Sequence, residues 1–289
     1  MRTAPRTAVT AVVLALAAAV APTSAQWVHY RDPAVPRTKD GKPNLSAPAP
    51  RTADGKPDLS GVWMHELTSA AEVRRLFGPT IDDRIKVDVP GMEIGTQHKY
   101  AFNVLLDYNE AEMLRPAARE VMRARAENTN APALCVHRPG GHFIRADLLS
   151  EAIKIVQAPR ITMVLYEAGD FHRQIHTDGR ALPKEFDLPS YLGYSIGRWE
   201  GDTFVVETTG FNDKTRLDGA GHPHGERLRL VERYRRRDFG HLDIETTFDD
   251  PEMYTKPFTI KVPHDLLPDT DIFESFCENE KDSTHLGQR

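Results

Sequence analysis

From about residue 150 to the C-terminus, apolar side chains return at every second position in short runs, and Gly, Pro, Asn and Asp stand between the runs. A period of two belongs to strands buried on one face, and the breaks belong to tight turns. Runs at 152–157 and 161–167 meet across Ala158-Pro159-Arg160, and a run at 171–177 ends on Asp178-Gly179. Those at 192–199 and 203–209 flank Glu200-Gly201-Asp202, and those at 226–235 and 242–248 flank Asp238-Phe239-Gly240. Runs at 257–262 and 272–277 complete nine candidate strands. Sequential short connections imply antiparallel neighbours. One face of each strand is wet: Arg227, Arg229, Arg233 and Arg235 oppose Leu228, Leu230 and Tyr234, and Glu226 and Glu232 fall on the leucine face. A long meander with one apolar face must cover that face by closing or by packing on something. The expected fold is therefore mainly β, an antiparallel meander forming a strongly curved sheet or lipocalin-like barrel, with N-terminal helices across one opening or edge.

The N-terminal part reads differently. Arg2 and Arg6 precede an uncharged run over 8–21, and Thr23-Ser24-Ala25 ends it with small residues. That is the layout of a cleavable secretory signal over 1–25, cut before Gln26, and the apolar run is too short to span a bilayer. The product is expected to be periplasmic or secreted, with no membrane span. Residues 26–60 form a Pro-rich extended leader holding a short tandem repeat: the stretch from Pro36 to Ser46 returns 14 residues later from Pro50 to Ser60, each copy carrying Asp-Gly and Lys-Pro. A single β-rich domain is expected over 61–289, with helices near 69–77 and 109–128. In the second helix Met113, Leu114, Ala117, Val121 and Met122 recur at helical spacing, with Asn109 as its cap.

A net charge of -5 with both signs mixed along the chain offers no basic region for nucleic acid. Two cysteines remain after the signal, Cys135 and Cys277, and an oxidising compartment permits a disulfide between them.

Three blocks carry a resemblance. They are Pro50 to Trp63 (PRTADGKPDLSGVW), Gly197-Arg198-Trp199-Glu200-Gly201-Asp202-Thr203 running on to Gly210-Phe211-Asn212-Asp213-Lys214-Thr215, and Gly221-His222-Pro223-His224-Gly225-Glu226. The chain resembles, over most of its length, a group of uncharacterised secreted bacterial proteins sharing these blocks. The resemblance implies an exported, β-rich, family-wide domain and carries no activity with it.

Candidate chemistry centres on histidine. His172 and His176 share a face of one strand, and His222 and His224 are again two apart. Counted as an up-and-down meander, the end of the first segment and the start of the strand after His224 stand level, roughly 14 Å apart at about 4.8 Å per strand. If the pairs converged, four imidazoles would suit a divalent zinc, copper or iron. Without a metal, His176, His222 and His224 with Glu226 make an acid–base set, because a carboxylate on an apolar face is raised in pKa by burial; Tyr194 is a further proton donor. The opposing view is that the histidines are surface turn residues and that a buried carboxylate is paired with an arginine. The polar loop 210–215 is a functional loop or simply an Asx-built turn. No phosphate loop, dinucleotide fingerprint or nucleophile elbow is present.

Two functions follow: an exported enzyme acting on a small, partly apolar molecule by acid–base or metal-assisted hydrolysis, elimination or isomerisation, or a non-catalytic binder of an apolar or amphipathic small ligand. N-terminal sequencing of exported material should read from Gln26 or within two residues of it, and an intact Met1 would remove the signal. Mass spectrometry without reductant should find Cys135 and Cys277 joined, with the mass lower by about two hydrogens.

Overall fold

Short strands and tight turns do close on themselves here. In a computed structural model, nine strands form one closed barrel in chain order: β1 (Gly61–His65), β2 (Ile153–Ala158), β3 (Ile161–Tyr166), β4 (His172–His176), β5 (Tyr194–Glu200), β6 (Thr203–Thr209), β7 (Arg229–Arg236), β8 (His241–Asp249) and β9 (Phe258–Leu266). The structure describes residues 31–78, 98–127, 152–167 and 172–272. The signal, Cys135 and Cys277 lie outside them. The expected barrel class is met. β1 is not among the strands expected from alternation; it pairs with both β2 and β9 and closes the ring. The run expected at 272–277 lies outside the described residues except Ile272, which is in no strand.

Alternation decides which side chains face inward. Register carries one face around the whole ring: Trp63 opposite Ile153, Ile153 opposite Tyr166, Val164 opposite Arg173, Ile175 opposite Ser195, Ser195 opposite Thr208, Thr208 opposite Leu230, Leu230 opposite Phe248, and Phe248 opposite Phe258. These residues are buried, so this face is the interior. The interior has two apolar layers. One gathers Leu59, Trp63, Ile155, Val164, Phe204, Val206, Ile244 and Leu266. The other gathers Leu230, Phe248, Phe258, Ile260 and Val262 against the helices. Between the layers runs a polar belt of Arg173, Ser195, Thr208, Glu232 and Thr246.

Each end has its own closure. The helices are α1 (Ala70–Phe77), α2 (Lys99–Phe102), α3 (Glu110–Met113) and α4 (Pro116–Glu127). Ser69 caps α1 by accepting from the Glu72 amide at 3.2 Å. Tyr100, Val104, Leu105, Met113 and Leu114 from the α2–α4 region close one end. The single helix expected over 109–128 is two. Pro116 starts α4, where its missing N–H costs nothing, and it keeps Arg115 out of helical backbone. Arg115 turns its amide to the Met253 carbonyl instead, 2.9 Å.

The tandem repeat closes the other end. Both copies fold into the same turn: Thr38 N to Lys42 O at 2.9 Å matches Thr52 N to Lys56 O at 2.9 Å, and Asn44 N to Pro36 O matches Asp58 N to Pro50 O. Each copy then presents its arginine to an aspartate of a barrel loop. Arg37 pairs with Asp269, and Arg51 grips Asp202 with both nitrogens at 2.7 and 3.0 Å. Leu45 and Leu59 plug the apolar layer beneath.

The chain departs from an antiparallel meander at one joint. β4 and β5 are parallel and share two residue pairs, Ile175 with Ser195 and His176 with Ile196. The connection 177–193 is long enough to return to the starting end, which a tight turn cannot do. The joint is stitched from inside. Arg173 on β4 donates to Ser195 on β5 at 2.9 Å, to Thr208 on β6, and with both terminal nitrogens to Glu232 on β7. Gly197 belongs to the same joint, because a Cβ there would collide with the Phe204 ring and approach Ile175 at 2.9 Å. Burial alone would lower the Arg173 pKa, but Glu232 against it raises the value well above normal, so the pair is ionised. Removing one partner leaves an uncompensated buried charge, which costs ~3–5 kcal/mol. Chemical denaturation should therefore show Glu232→Gln losing about 3 kcal/mol. The double variant Arg173→Met/Glu232→Leu should recover most of that loss, and a double variant no better than the single would show that the pair itself stabilises the seam.

Candidate functional site

Because β4 and β5 overlap so briefly, residues 172–174 have no β5 partner beside them. A groove of about 440 Å³ opens at that place. His172, Gln174 and His176 reach it from the outer face of β4, and Ser190 to Tyr194 line the opposite side. Arg173, 7% exposed, also lines it, so the buried polar belt meets the outside here. Gly193 makes the sharp entry into β5. Its φ is +66°, and a Cβ would sit 2.8 Å from both the Thr208 methyl and the Thr209 carbonyl.

Two of the groove's ionisable side chains are in direct contact. The rings of His176 and Tyr194 stack with centroids 5.1 Å apart and 29° between planes. The Tyr194 hydroxyl accepts from Arg180 Nη1 at 2.8 Å, and Arg180 is itself held by Asp178 at 2.6 and 2.8 Å. Burial lowers the His176 pKa and nearby Arg180 lowers it further, outweighing Asp178. The imidazole is therefore neutral at pH 7 and able to accept a proton.

The structure thus brings His172, His176 and Tyr194 to one groove and leaves His222, His224 and Glu226 elsewhere. The end of β4 and the start of β7 do stand level, through Ile175, Ser195, Thr208 and Leu230. The loop 210–228, however, folds onto the helical end and takes its histidines with it. His222 is fully buried, its Nδ1 2.5 Å from Asp218 and its Nε2 3.6 Å from Glu110. Asp218 also accepts from the Val104 amide, tying the loop to the α2–α3 segment. His224 is 1% exposed, bonded to Thr215 and set edge-on to Phe211 at 5.8 Å. Phe211, Asn212 and Thr215 are buried as well, so the 210–215 loop packs inward. Glu226 is exposed in a turn, because β7 begins at Arg229 and strand parity does not reach back to it. Among the described residues, no three His, Cys, Asp or Glu side chains stand together in a way that would hold a metal ion.

Glu232 is the buried carboxylate paired with an arginine, and that arginine is Arg173. Arg173 itself passed unnoticed, although it shares the inward parity of Ile175 in a strand whose other residues are polar. A second inward group escaped notice too. His65 on β1 lies opposite His264 on β9, and the His98 ring is 5.6 Å from that of His65.

No protein-family model, curated protein or solved structure matches this chain. Among the described residues, no helix is long and apolar enough to cross a membrane.

His224 has a consequence in solution. Burial pushes its pKa down to about 4, against smaller opposing effects of the Gly225 carbonyl and Asp250. In the unfolded chain it protonates near the ordinary imidazole value of about 6.5. The unfolded state then binds the extra proton first, so stability is full above about pH 6.5 and falls as pH drops toward 4, by up to ~3 kcal/mol. Denaturant melts at pH 7, 5.5 and 4.5 should show this fall, and His224→Gln should flatten it; an unchanged slope in that variant would move the effect to other groups.

Proposed function

We propose that this protein binds a small, partly apolar molecule in the groove at the β4–β5 seam and acts on it by acid–base chemistry, with His176 as base and Tyr194 as proton donor. The observation that carries the reading is the His176–Tyr194 stack, an imidazole held neutral by burial beside a phenol whose oxygen is fixed by Arg180. A neutral imidazole near its ordinary pKa range is the side chain best suited to take a proton at pH 7. Tyr191 and Leu192 give the groove its apolar part, and His172, Gln174 and Arg173 give its polar part. That mixture of a few directed polar groups on an apolar surface is what a small-molecule site requires. It favours catalysis over passive storage, because several ionisable groups meet in one concavity while the barrel interior is filled by its own side chains. The signal-like segment at 1–25 would place this work outside the cytoplasm.

The test is a library of small aromatic and alicyclic esters, lactones and ketones, with products followed by mass. The rate should rise with pH along a limb below about pH 6.5, the side on which imidazole loses its proton. His176→Ala should lower it by ~10²–10⁴-fold at unchanged thermal stability. Turnover indifferent to His176→Ala would overturn the assignment. Saturable binding without turnover, lost in Tyr191→Ala, would make the protein a binder at the same groove.

A further inference from the structure

The same short overlap that opens the seam groove leaves a second notch at the other side of the joint. Residues 197–200 of β5 run on past the end of β4 and have no β4 neighbour. Trp199 occupies the last inward position there, opposite Phe204 in register, with the two rings 5.2 Å apart. It is half-buried, whereas Trp63 is completely enclosed. In front of Trp199 is a groove of about 450 Å³, within the ~300–1,000 Å³ typical of small-molecule sites. Its walls come from four segments: the second leader repeat at Thr52 and Asp54, the β2–β3 hairpin at Gln157, Arg160 and Thr162, Thr177 just after β4, and Trp199 itself.

The chemistry of these walls narrows the occupant. Asp54 is ionised, its pKa lowered by the hydroxyl of Thr52, and it offers an acceptor at the rim. Gln157 accepts from the Leu59 amide through Oε1, so its NH₂ is the group directed to a ligand. Arg160 adds donors and Thr162 a hydroxyl. The Arg160 charge is already met by Asp178 at 3.4 Å, so the groove has no excess positive charge, while its remaining guanidinium donors can still bond a hydroxyl. An anion would meet Asp54, and a cation would meet the donors of Arg160 and of the Gln157 amide. A wholly apolar ligand would strip water from Asp54 and Gln157 without replacing its hydrogen bonds. A neutral ligand with many hydroxyls and one apolar face satisfies all of them.

We infer that this notch is a carbohydrate-binding site. The indole of Trp199 takes the C–H face of a sugar ring, and Asp54, Gln157, Arg160 and Thr162 bond its hydroxyls. The leader then has a second use: its second copy, clipped to the barrel by Arg51 and Asp202, supplies one wall of the site. The first copy, clipped at Asp269, does not line this notch. The inference is independent of the chemistry assigned to the seam groove.

The experiment uses the full mature chain on a glycan array of pentose, hexose and N-acetylhexosamine oligosaccharides, followed by titration of the retained glycan against tryptophan fluorescence. A saturable change is expected. It should weaken at least ten-fold in Asp54→Ala, a change at an exposed turn residue, and vanish in Trp199→Ala. Asp40→Ala, the same change in the first copy, should leave binding as it was. If Trp199→Ala does not fold, Asp54→Ala and Asp40→Ala still decide the matter. No retained glycan on the array, or equal binding by Asp54→Ala and the unaltered chain, overturns the site.

Discussion

Arg173 does what the backbone at the β4–β5 joint does not. The other neighbouring strands share longer ladders, from three residue pairs between β1 and each of its neighbours to eight between β7 and β8, where pairing runs from Arg229 to Arg236. At the joint the ladder stops after two pairs, and a guanidinium planted on β4 reaches β5, β6 and β7 together. A planar fork with five donors suits that geometry, and a lysine could not make the same four contacts at once. The cost is the desolvation of two charges, and Glu232 offsets it only because Ser195, Thr208 and Tyr234 complete the hydrogen bonding around the pair. The belt also separates the two apolar layers, so each layer packs against its own closure.

Those closures shift attention from the inside of the barrel to its wall. In an open-mouthed barrel the ligand enters along the axis. Here the leader covers one mouth, with Leu45 and Leu59 in the apolar layer beneath it, and the α2–α4 segment covers the other. Concave surface remains where the wall is thin. The parallel offset thins it twice, before β5 begins and after β4 ends, and the two grooves described above stand at those places, while a third of about 400 Å³ lies between the leader and the end of β9. Asp178 lies between them, held by Arg180 from one side and by Arg160 from the other.

The sequence was most informative where geometry is local. Alternation located eight of the nine described strands to within a few residues, because a half-buried strand writes its period directly into the chain. β1 escaped because its partners are far away in sequence, so no tight turn to a neighbouring strand marks it. The parallel joint escaped for the same reason: nothing local separates a connection that crosses back from one that merely wanders, as 177–193 does. Pro116 carried a legible warning against one continuous helix. Of the site, His172, His176 and Tyr194 were legible as residue types on a strand and its neighbour. Their partner Arg173 was hidden by the habit of assigning arginine to water. His222 and His224 looked equivalent to the other pair, since two-residue spacing says nothing about whether a segment stays in the sheet or leaves it.

The closing of the ring has a consequence in time. Trp63 of β1 stands opposite Leu266 of β9, a residue 203 positions later (266 minus 63). Arg51 waits for Asp202, and Arg37 waits for Asp269. A nascent chain delivered N-terminus first can pair β1 with β2 early, but the other edge of β1 and Arg37 of the leader have no partners until almost everything else has been made. At ~5–20 residues per second that interval is on the order of ten to forty seconds. Throughout it β1 presents a bare edge where β9 should be, which is the kind of surface on which growing chains aggregate. The last synthesised strand, β9, sets the moment at which that edge is covered.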